Sequence, residues 1–421
     1  MNIAVIGSGI SGLAAAWLLG QRHRVTVFEK HSYLGGHTNT VAVQDQGSAL
    51  PVDTGFIVYN EPNYPLLTGL FRFLGIETQE TEMSFSVSMD EGALEYGGAS
   101  LDTLFSQRRN LLRPSFLRMV RDILRFNRLG KATLARAHQA RDDRTLDAFL
   151  HEHGFSETFA RNYLLPMAAA IWSCPTQTMR RFPARSFLQF FENHGLLNIE
   201  DRPQWRTVVG GSWRYVEQLV ASGRFDFRLN CPITRVERDA SGVRLPEIGQ
   251  QFDAVIFAAH ADQTLAMLQA PDETERAILG AFRFQKNIAY LHNDESLMPK
   301  HRRVWSSWNY YGRSDADGED AVAVTYWMNR LQNLSSGKVW LVTLNPPQPP
   351  LEALTERRIE YSHPVFDPAA MAAQQRLEEI QGHQNCWYCG AWTGYGFHED
   401  GLRSAVTVAR SFGVHPPWEE R

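Results

Sequence analysis

Gly7-Ser8-Gly9-Ile10-Ser11-Gly12 stands directly between the apolar run Ile3-Ala4-Val5-Ile6 and Ile10 to Leu19, where small and apolar residues recur at helical spacing. Four aliphatic residues in a row suit a parallel strand buried on both faces, and Arg24 to Glu29 reads as a second strand. In such a strand–turn–helix–strand unit the first glycine permits the tight turn and the second lets a pyrophosphate approach the backbone. The third lets the helix pack on the strand, and the helix N-terminus attracts the anion. Glu29 ends the second strand, where a carboxylate accepts hydrogen bonds from both ribose hydroxyls and repels a 2′-phosphate. The unit therefore predicts an α/β nucleotide-binding fold and disfavours NADP.

Composition narrows the class. The 421 residues carry 42 Lys and Arg against 46 Asp and Glu, a net charge of −4, which argues against a protein that coats nucleic acid. Four cysteines are too few for a disulfide framework and suit a reducing cytoplasm. The apolar opening has no basic residue before Arg22 and is punctuated by glycines, so it is not read as a signal peptide. With no other stretch of about 18 uncharged apolar residues, the expectation is a soluble or at most peripheral protein.

The pattern changes along the chain. Residues 71–205 are mostly helical in periodicity, with few β-branched runs. Strand and turn chemistry returns near Thr207: Gly210-Gly211, a helix from Trp213 to Ser222, then strands at Phe225–Leu229, Ile233–Arg238 and Ala254–Ala259. Aromatic-rich strands are expected at Val322–Met328 and Val339–Leu344, and Asn385 to Phe412 reads as strand, glycine-rich turn and helix. This alternation predicts a nucleotide-binding domain from 1–70, 206–270 and 380–421, with a substrate domain from 71–205 and 271–379.

Three further segments carry a resemblance: Leu34-Gly35-Gly36-His37-Thr38, Val52-Asp53-Thr54-Gly55-Phe56, and Tyr388-Cys389-Gly390-Ala391-Trp392-Thr393-Gly394-Tyr395-Gly396-Phe397-His398-Glu399-Asp400-Gly401. Together with the glycine loop they resemble the FAD-dependent amine oxidase, phytoene desaturase and protoporphyrinogen oxidase superfamily. The resemblance implies a Rossmann-type FAD domain with an inserted α+β substrate domain. It assigns cofactor contacts to Gly7, Gly9, Ser11, Gly12, Glu29, Lys30, Gly35, Gly36, His37, Thr38, Thr54, Gly55, Phe56, Val236, Gly390, Ala391, His398 and Glu399. Ile171-Trp172-Ser173, Val209-Gly210-Gly211-Ser212, Ser307-Trp308-Asn309-Tyr310 and His363-Pro364-Val365-Phe366-Asp367 resemble a bacterial branch of FAD-binding proteins encoded beside cyclopropane-fatty-acyl-phospholipid synthases. That neighbourhood implies a lipid methyltransferase as partner.

The departures from the superfamily pattern are informative. Ala391 stands where many relatives have an acid that holds the ribityl chain, and His398 stands where amine oxidases have a cage tyrosine. No cysteine is placed to anchor a covalent flavin, so FAD is expected to bind non-covalently. A second GxGxxG after a strand is absent, which disfavours nicotinamide as direct reductant. The resemblance makes Lys286, with a proton-handling role near flavin N5, and His398 the catalytic candidates, each against a bland alternative: a strand lysine in solvent, a histidine satisfying a turn. His37 replaces the usual arginine beside the phosphates; His194 and His363 read as core or surface histidines. Cys386 and Cys389 lie three apart on a strand and point to opposite faces, and no second CxxC exists, so no metal site is expected. Trp172, Trp308, Tyr310, Tyr311, Tyr326 and Trp327 line either an apolar tunnel or ordinary core.

Residues 107–144 hold ten Arg and one Lys against three Asp, a local charge of +8 that leaves −12 for the rest. Arg118, Arg121, Arg125 and Arg128 recur on one helical face, and Phe116, Met119, Val120 and Ile123 on another. The pattern fits a helix on anionic headgroups at the inner face of the membrane; a solvated helix with its apolar side on the core is the alternative. Three functions follow: an FAD-dependent oxidoreductase taking hydride from an apolar substrate such as a membrane-lipid acyl chain, a soluble amine oxidase releasing hydrogen peroxide, or a non-catalytic flavin-binding accessory to a lipid methyltransferase.

Overall fold

The structure, a computed structural model, describes residues 1–136, 144–198, 201–239, 242–312 and 323–419. Five parallel strands run in the order Asp226–Arg228, Arg24–Phe28, Asn2–Ile6, Ala254–Phe257, Cys386–Tyr388. The chain leaves the central strand to one side and returns on the other, so the glycine loop sits at the switch point, where a crevice opens beyond the carboxyl ends of the strands. Ile3, Val5, Val25 and Val27 face one apolar cluster, and Ala4, Ile6 and Phe28 face a second on the opposite side. Both faces are covered, which is why these strands read as unbroken apolar runs. Each fully buried Val, Ile or Phe contributes about 1.5–3 kcal/mol.

Helix Ile10–Leu19 is buried along its whole length against helix His398–Ser411. Only small residues permit that approach: a Cβ on Gly401 would stand 2.8 Å from Ser11 Oγ. The paired thiols at the sheet's edge go opposite ways, Cys386 into one cluster and Cys389 into the other, and all four cysteines are free.

A second, seven-stranded sheet runs Thr355–Val365, Arg283–His292, Leu341–Leu344, Ala323–Trp327, Trp308–Gly312, Phe85–Met89, Leu94–Gly97. It is antiparallel except where Trp308–Gly312 meets Phe85–Met89. Together the two sheets give an α/β fold with a parallel Rossmann-like layer and a mixed substrate-domain sheet. The strands at 78–97 correct the expectation of a mostly helical 71–205, which holds only from Leu101 onward. Phe85 to Met89 alternates with period two, and only the distant Trp308–Gly312 gives it a strand to pair with. Pairing near 236 also starts later than expected: after an isolated bridge at Val236, the strand is Glu237–Asp239. Helix Trp213–Ser222 forms as the periodicity predicts.

The helices of the insertion pack around Phe126, Phe149, Phe159, Phe187 and Phe191. Helix Pro114–Arg136 turns Phe116 and Met119 into this core, with Val120 and Ile123 packed at its margin. The apolar face expected to meet lipid is thus the core-facing one. Residues 137–143 of the basic segment, and Val322, lie outside the described residues. Among those described, no helix is long and apolar enough to cross a membrane.

Candidate active site

At the phosphate end, strand Asn2–Ile6 runs into Gly7, whose N–H donates to Phe28 O at 2.9 Å. Gly7 has φ +103°, and a Cβ there would lie 2.7 Å from Ala258 O. On Gly12 it would lie 2.0 Å from Gly7 O, so both positions are closed by backbone. Gly9 differs: nothing stands within 4 Å of its missing Cβ. It is the N-cap of helix Ile10–Leu19, and no side chain caps that helix. Open space before uncapped first-turn N–H groups, Ser11 among them, is what a pyrophosphate requires. Gly36, at φ +59°, crosses over Gly9, and Gly35 N donates to Ser8 O at 2.9 Å.

Glu29 is buried beside this loop. Its Oε2 accepts from Ser8 N (3.0 Å) and Ser8 Oγ (2.6 Å), its Oε1 from His31 N (2.9 Å). Those bonds fill three of roughly four acceptor positions on a carboxylate, leaving room for a ribose hydroxyl. Lys30 is exposed at the rim. Val236 is fully buried and spends its N–H on Met267 O, so it has no backbone donor left for a cofactor.

The other end is built from rings. His398 opens helix His398–Ser411, stacks on Phe56 with centroids 3.8 Å apart, and places Nε2 3.0 Å from Thr38 Oγ1 and 3.2 Å from Tyr215 OH. Thr38 and Tyr215 hydrogen-bond each other as well. Gly55 is required here because a Cβ would meet His37 O at 2.1 Å. The His37 ring stacks on Tyr361 at 4.9 Å and meets His363 edge-on at 5.3 Å. Asn287 Nδ2 donates to His363 Nδ1 at 2.7 Å, and Asn345 Nδ2 donates to Asn287 Oδ1 at 2.7 Å. Nδ1 of His363 is then an acceptor, which puts the proton of the neutral ring on Nε2.

Desolvation lowers His37 to about 4 and lowers His260, His363 and His398 to about 3, with neighbouring histidines adding to the last three. All four rings keep some accessible surface. The rings are neutral at pH 7.

Asp53 underpins this end. Its carboxylate accepts from Thr40 Oγ1 (2.5 Å), from Ser212 N (2.9 Å) and Oγ (2.8 Å), and from Gln332 Nε2 (3.0 Å). Burial still pushes it up to about 6. Thr54 donates to Asn39 O and meets the Tyr361 hydroxyl at 2.8 Å, tying the Asp53–Phe56 segment to the second sheet.

Two expected residues face elsewhere. Lys286 is 77% exposed and pairs with Glu360 at 3.1 Å. On strand Arg283–His292 the inward residue is its neighbour Asn287, because a one-residue step reverses the face. Glu399 caps the N-terminus of helix Pro65–Leu74, accepting from Leu66 N and Leu67 N at 3.0 Å each. Gly390 and Ala391 open the turn before His398; Gly390 N donates to Ser404 Oγ, and Ala391 O accepts from Gly394 N and Gly396 N. His363, read from the sequence as a core or surface histidine, stands beside His37 and Asn287, while Asn287, His260, Tyr361 and Tyr215 escaped the sequence reading. The alternation Asn287, Ala289, Leu291 was the one available signal, since it marks the inward face of their strand. Trp172 is core, its ring 4.5 Å from Phe190, which in turn stacks at 5.1 Å on Phe397 beside His398.

A glycine loop at the switch point of a parallel sheet and an acid at the end of the second strand define a dinucleotide-binding fold. Residues 10–286 match the family of flavin containing amine oxidoreductases, and the chain belongs to it. A flavin is the cofactor by family. The protein is 27% identical over 315 residues to Probable polyamine oxidase 4 of Arabidopsis thaliana, across 71% of this chain and 59% of that protein. The alignment thus spans about three-fifths of the relative's length. In fold it is similar to a CLA-producing fatty acid isomerase from P. acnes (TM-score 0.65, 18% identity, 97% of this chain and 98% of the other). Cyclohexylamine oxidase from Brevibacterium oxydans is similar too (TM-score 0.65, 16% identity, 98% and 99%).

Proposed function

We propose that the substrate is apolar and uncharged, with a fatty acyl chain of a membrane lipid as the best fit. The observation that carries this is the neutrality of the ring end. His37, His363 and His398 are held uncharged, Phe56, Phe190 and Phe397 supply the wall, and the carboxylates of Asp53, Glu399 and Asp400 are all spent on hydrogen bonds within the fold. An ammonium substrate would find rings and hydroxyls there and no counter-ion, whereas a hydrocarbon loses nothing on entering. The fold's likeness to a fatty acid isomerase supports the same class.

FAD is held without a covalent bond in this reading. Burial pushes the Cys174, Cys386 and Cys389 thiols up to about 12, far from the reactive thiolate range. The flavin supplies two-electron acceptance; the protein's share is to align the chain, exclude water and keep the His398 imidazole unprotonated beside Thr38 and Tyr215. Acid precipitation should release all the yellow colour into the supernatant.

Amine oxidation is the second reading, favoured by the polyamine oxidase likeness. Anaerobic absorbance separates them. Bleaching of the oxidised flavin bands by unsaturated phospholipid or fatty acid, with none by putrescine or cyclohexylamine, is the expected result. Bleaching by amines alone, with peroxide on readmitting air, would overturn the acyl reading. No bleaching by either would point to the non-catalytic accessory protein.

A further inference from the structure

Large apolar side chains left in solvent are normal when scattered and informative when clustered. Among the described residues eleven large apolar side chains are exposed, and five of them fall between residues 101 and 124: Leu101 (75%), Leu111, Leu112 (86%), Leu117 and Leu124. Along helix Pro114–Arg136, Leu117, Arg121, Leu124 and Arg128 are spaced i, i+4, i+7 and i+11. They fall within roughly 60° of arc, opposite the buried Met119 and Phe126. The outer face of the helix is therefore a stripe of alternating leucine and arginine. The turn before it, Arg108–Leu112, continues the stripe.

The charge of this face is single-signed. Of the two acids between 101 and 136, Asp102 is paired with Arg108 and lies within the field of Arg303. Asp122 is fully buried and accepts from Ser156 N and Oγ. No ion pair of Arg118 or Arg128 occurs among the described residues.

We infer that this face is a docking surface for an anionic phospholipid bilayer, with Leu111, Leu112, Leu117 and Leu124 entering the acyl boundary. Arg118, Arg121 and Arg128 would sit among the headgroup phosphates. Arginines alone would suit any polyanion. The leucines decide, because a nucleic acid offers them nothing and, among the described residues of this surface, no aromatic is exposed for a base to stack on. The inference rests on the acyl-chain reading only for its purpose: binding itself needs no turnover.

The test uses the FAD-loaded full chain and co-sedimentation with vesicles of phosphatidylcholine alone or with about 30% phosphatidylglycerol. Pelleting with the anionic vesicles only, weakened about tenfold by salt, is expected. Leu112→Gln/Leu117→Gln/Leu124→Gln and Arg118→Glu/Arg121→Glu/Arg128→Glu should each lower binding about tenfold or more with an unchanged melting temperature. Equal pelleting of the wild type and both variants would overturn the inference. So would a dimer in light scattering that the leucine variant dissociates, since the face would then be covered by a second copy. Flavin bleaching by a monomeric, water-dispersed unsaturated fatty acid is read in parallel. If it persists while vesicle binding fails, the docking surface is wrong and the acyl reading stands.

Discussion

At the phosphate end of the cleft the chain makes room by omission, and at the ring end it fills space with rings. Gly9 has nothing within 4 Å of its absent side chain, while its neighbours Gly7 and Gly12 are closed off by backbone. Thirty residues on, Thr38, Phe56, Tyr215, Tyr361 and four histidines meet from segments scattered between His37 and His398. The phosphate end can be contiguous because a main-chain loop and one helix N-terminus suffice to hold an anion. The ring end cannot, since enclosing an apolar group takes walls from several directions. Specificity thus resides in the part assembled from far apart.

That contrast can be broken at its closed glycines first. Gly12→Ala puts a Cβ 2.0 Å from Gly7 O, and urea denaturation should show a loss of about 3 kcal/mol or more. Gly9→Ala, in open space at φ −67°, should keep stability within about 1 kcal/mol while flavin affinity falls about tenfold or more. Equal loss of stability in the two would mean that Gly9 is also a packing residue. At the ring end, Asp53→Ala strips the acceptor from Ser212, Thr40 and Gln332, at a cost of about 2–3 kcal/mol in the same assay.

Acidification sharpens the comparison next. His37, His194, His260, His292, His363 and His398 are lowered to about 3 or 4 from 6.5. Below pH 6.5 the unfolded chain takes up protons that the native rings refuse. Their stability is therefore full above 6.5 and is lost as pH falls towards 4. Asp53, raised to about 6, has the opposite sign: its native carboxyl takes the proton first, so its share recovers as pH falls from 6 towards 4. Burial raises Glu399 and Asp400 too, so six rings stand against three acids, and the melting temperature should fall between pH 7 and 5. A flat profile would show that the rings are hydrated.

The smaller effects concern single side chains. His398→Phe keeps the stack on Phe56 but leaves the Thr38 and Tyr215 hydroxyls only each other. It should shift the bound flavin's absorbance and slow turnover about tenfold. Lys286→Ala removes an exposed pair with Glu360, and turnover should stay within about twofold. A large loss there would restore the lysine to the site and reverse the orientation of its strand.

The glycine loop and its acid were legible because each is a local device whose residue types follow from backbone geometry; the segments around Gly35 and Gly55 were legible only by resemblance, since a Cβ on Gly36 would meet Gly9 and one on Gly55 would meet His37. The divided nucleotide sheet was legible because its strands are buried on both faces and read as plain apolar runs. Lys286 misled because the face of a strand residue depends on register, and register is set by pairing with Thr355–Val365, seventy residues away. The basic helix was legible in part: periodicity separates Phe116 and Met119 from the arginines but does not say which face meets the core. Leu117 and Leu124 emerge as outer residues only once the phenylalanine cluster claims the other side.

The sequence by itself determined a nucleotide-binding α/β domain and the place of its glycine loop and acid. Tertiary structure alone decided that His363, Asn287 and Tyr361 join His37 in one neutral cleft, that Glu399 caps a neighbouring helix, and that leucines and arginines share an outer face. The reason is the same in each case. A turn or a cap is fixed by interactions a few residues apart, whereas burial, neutrality and exposure belong to whatever the fold brings alongside.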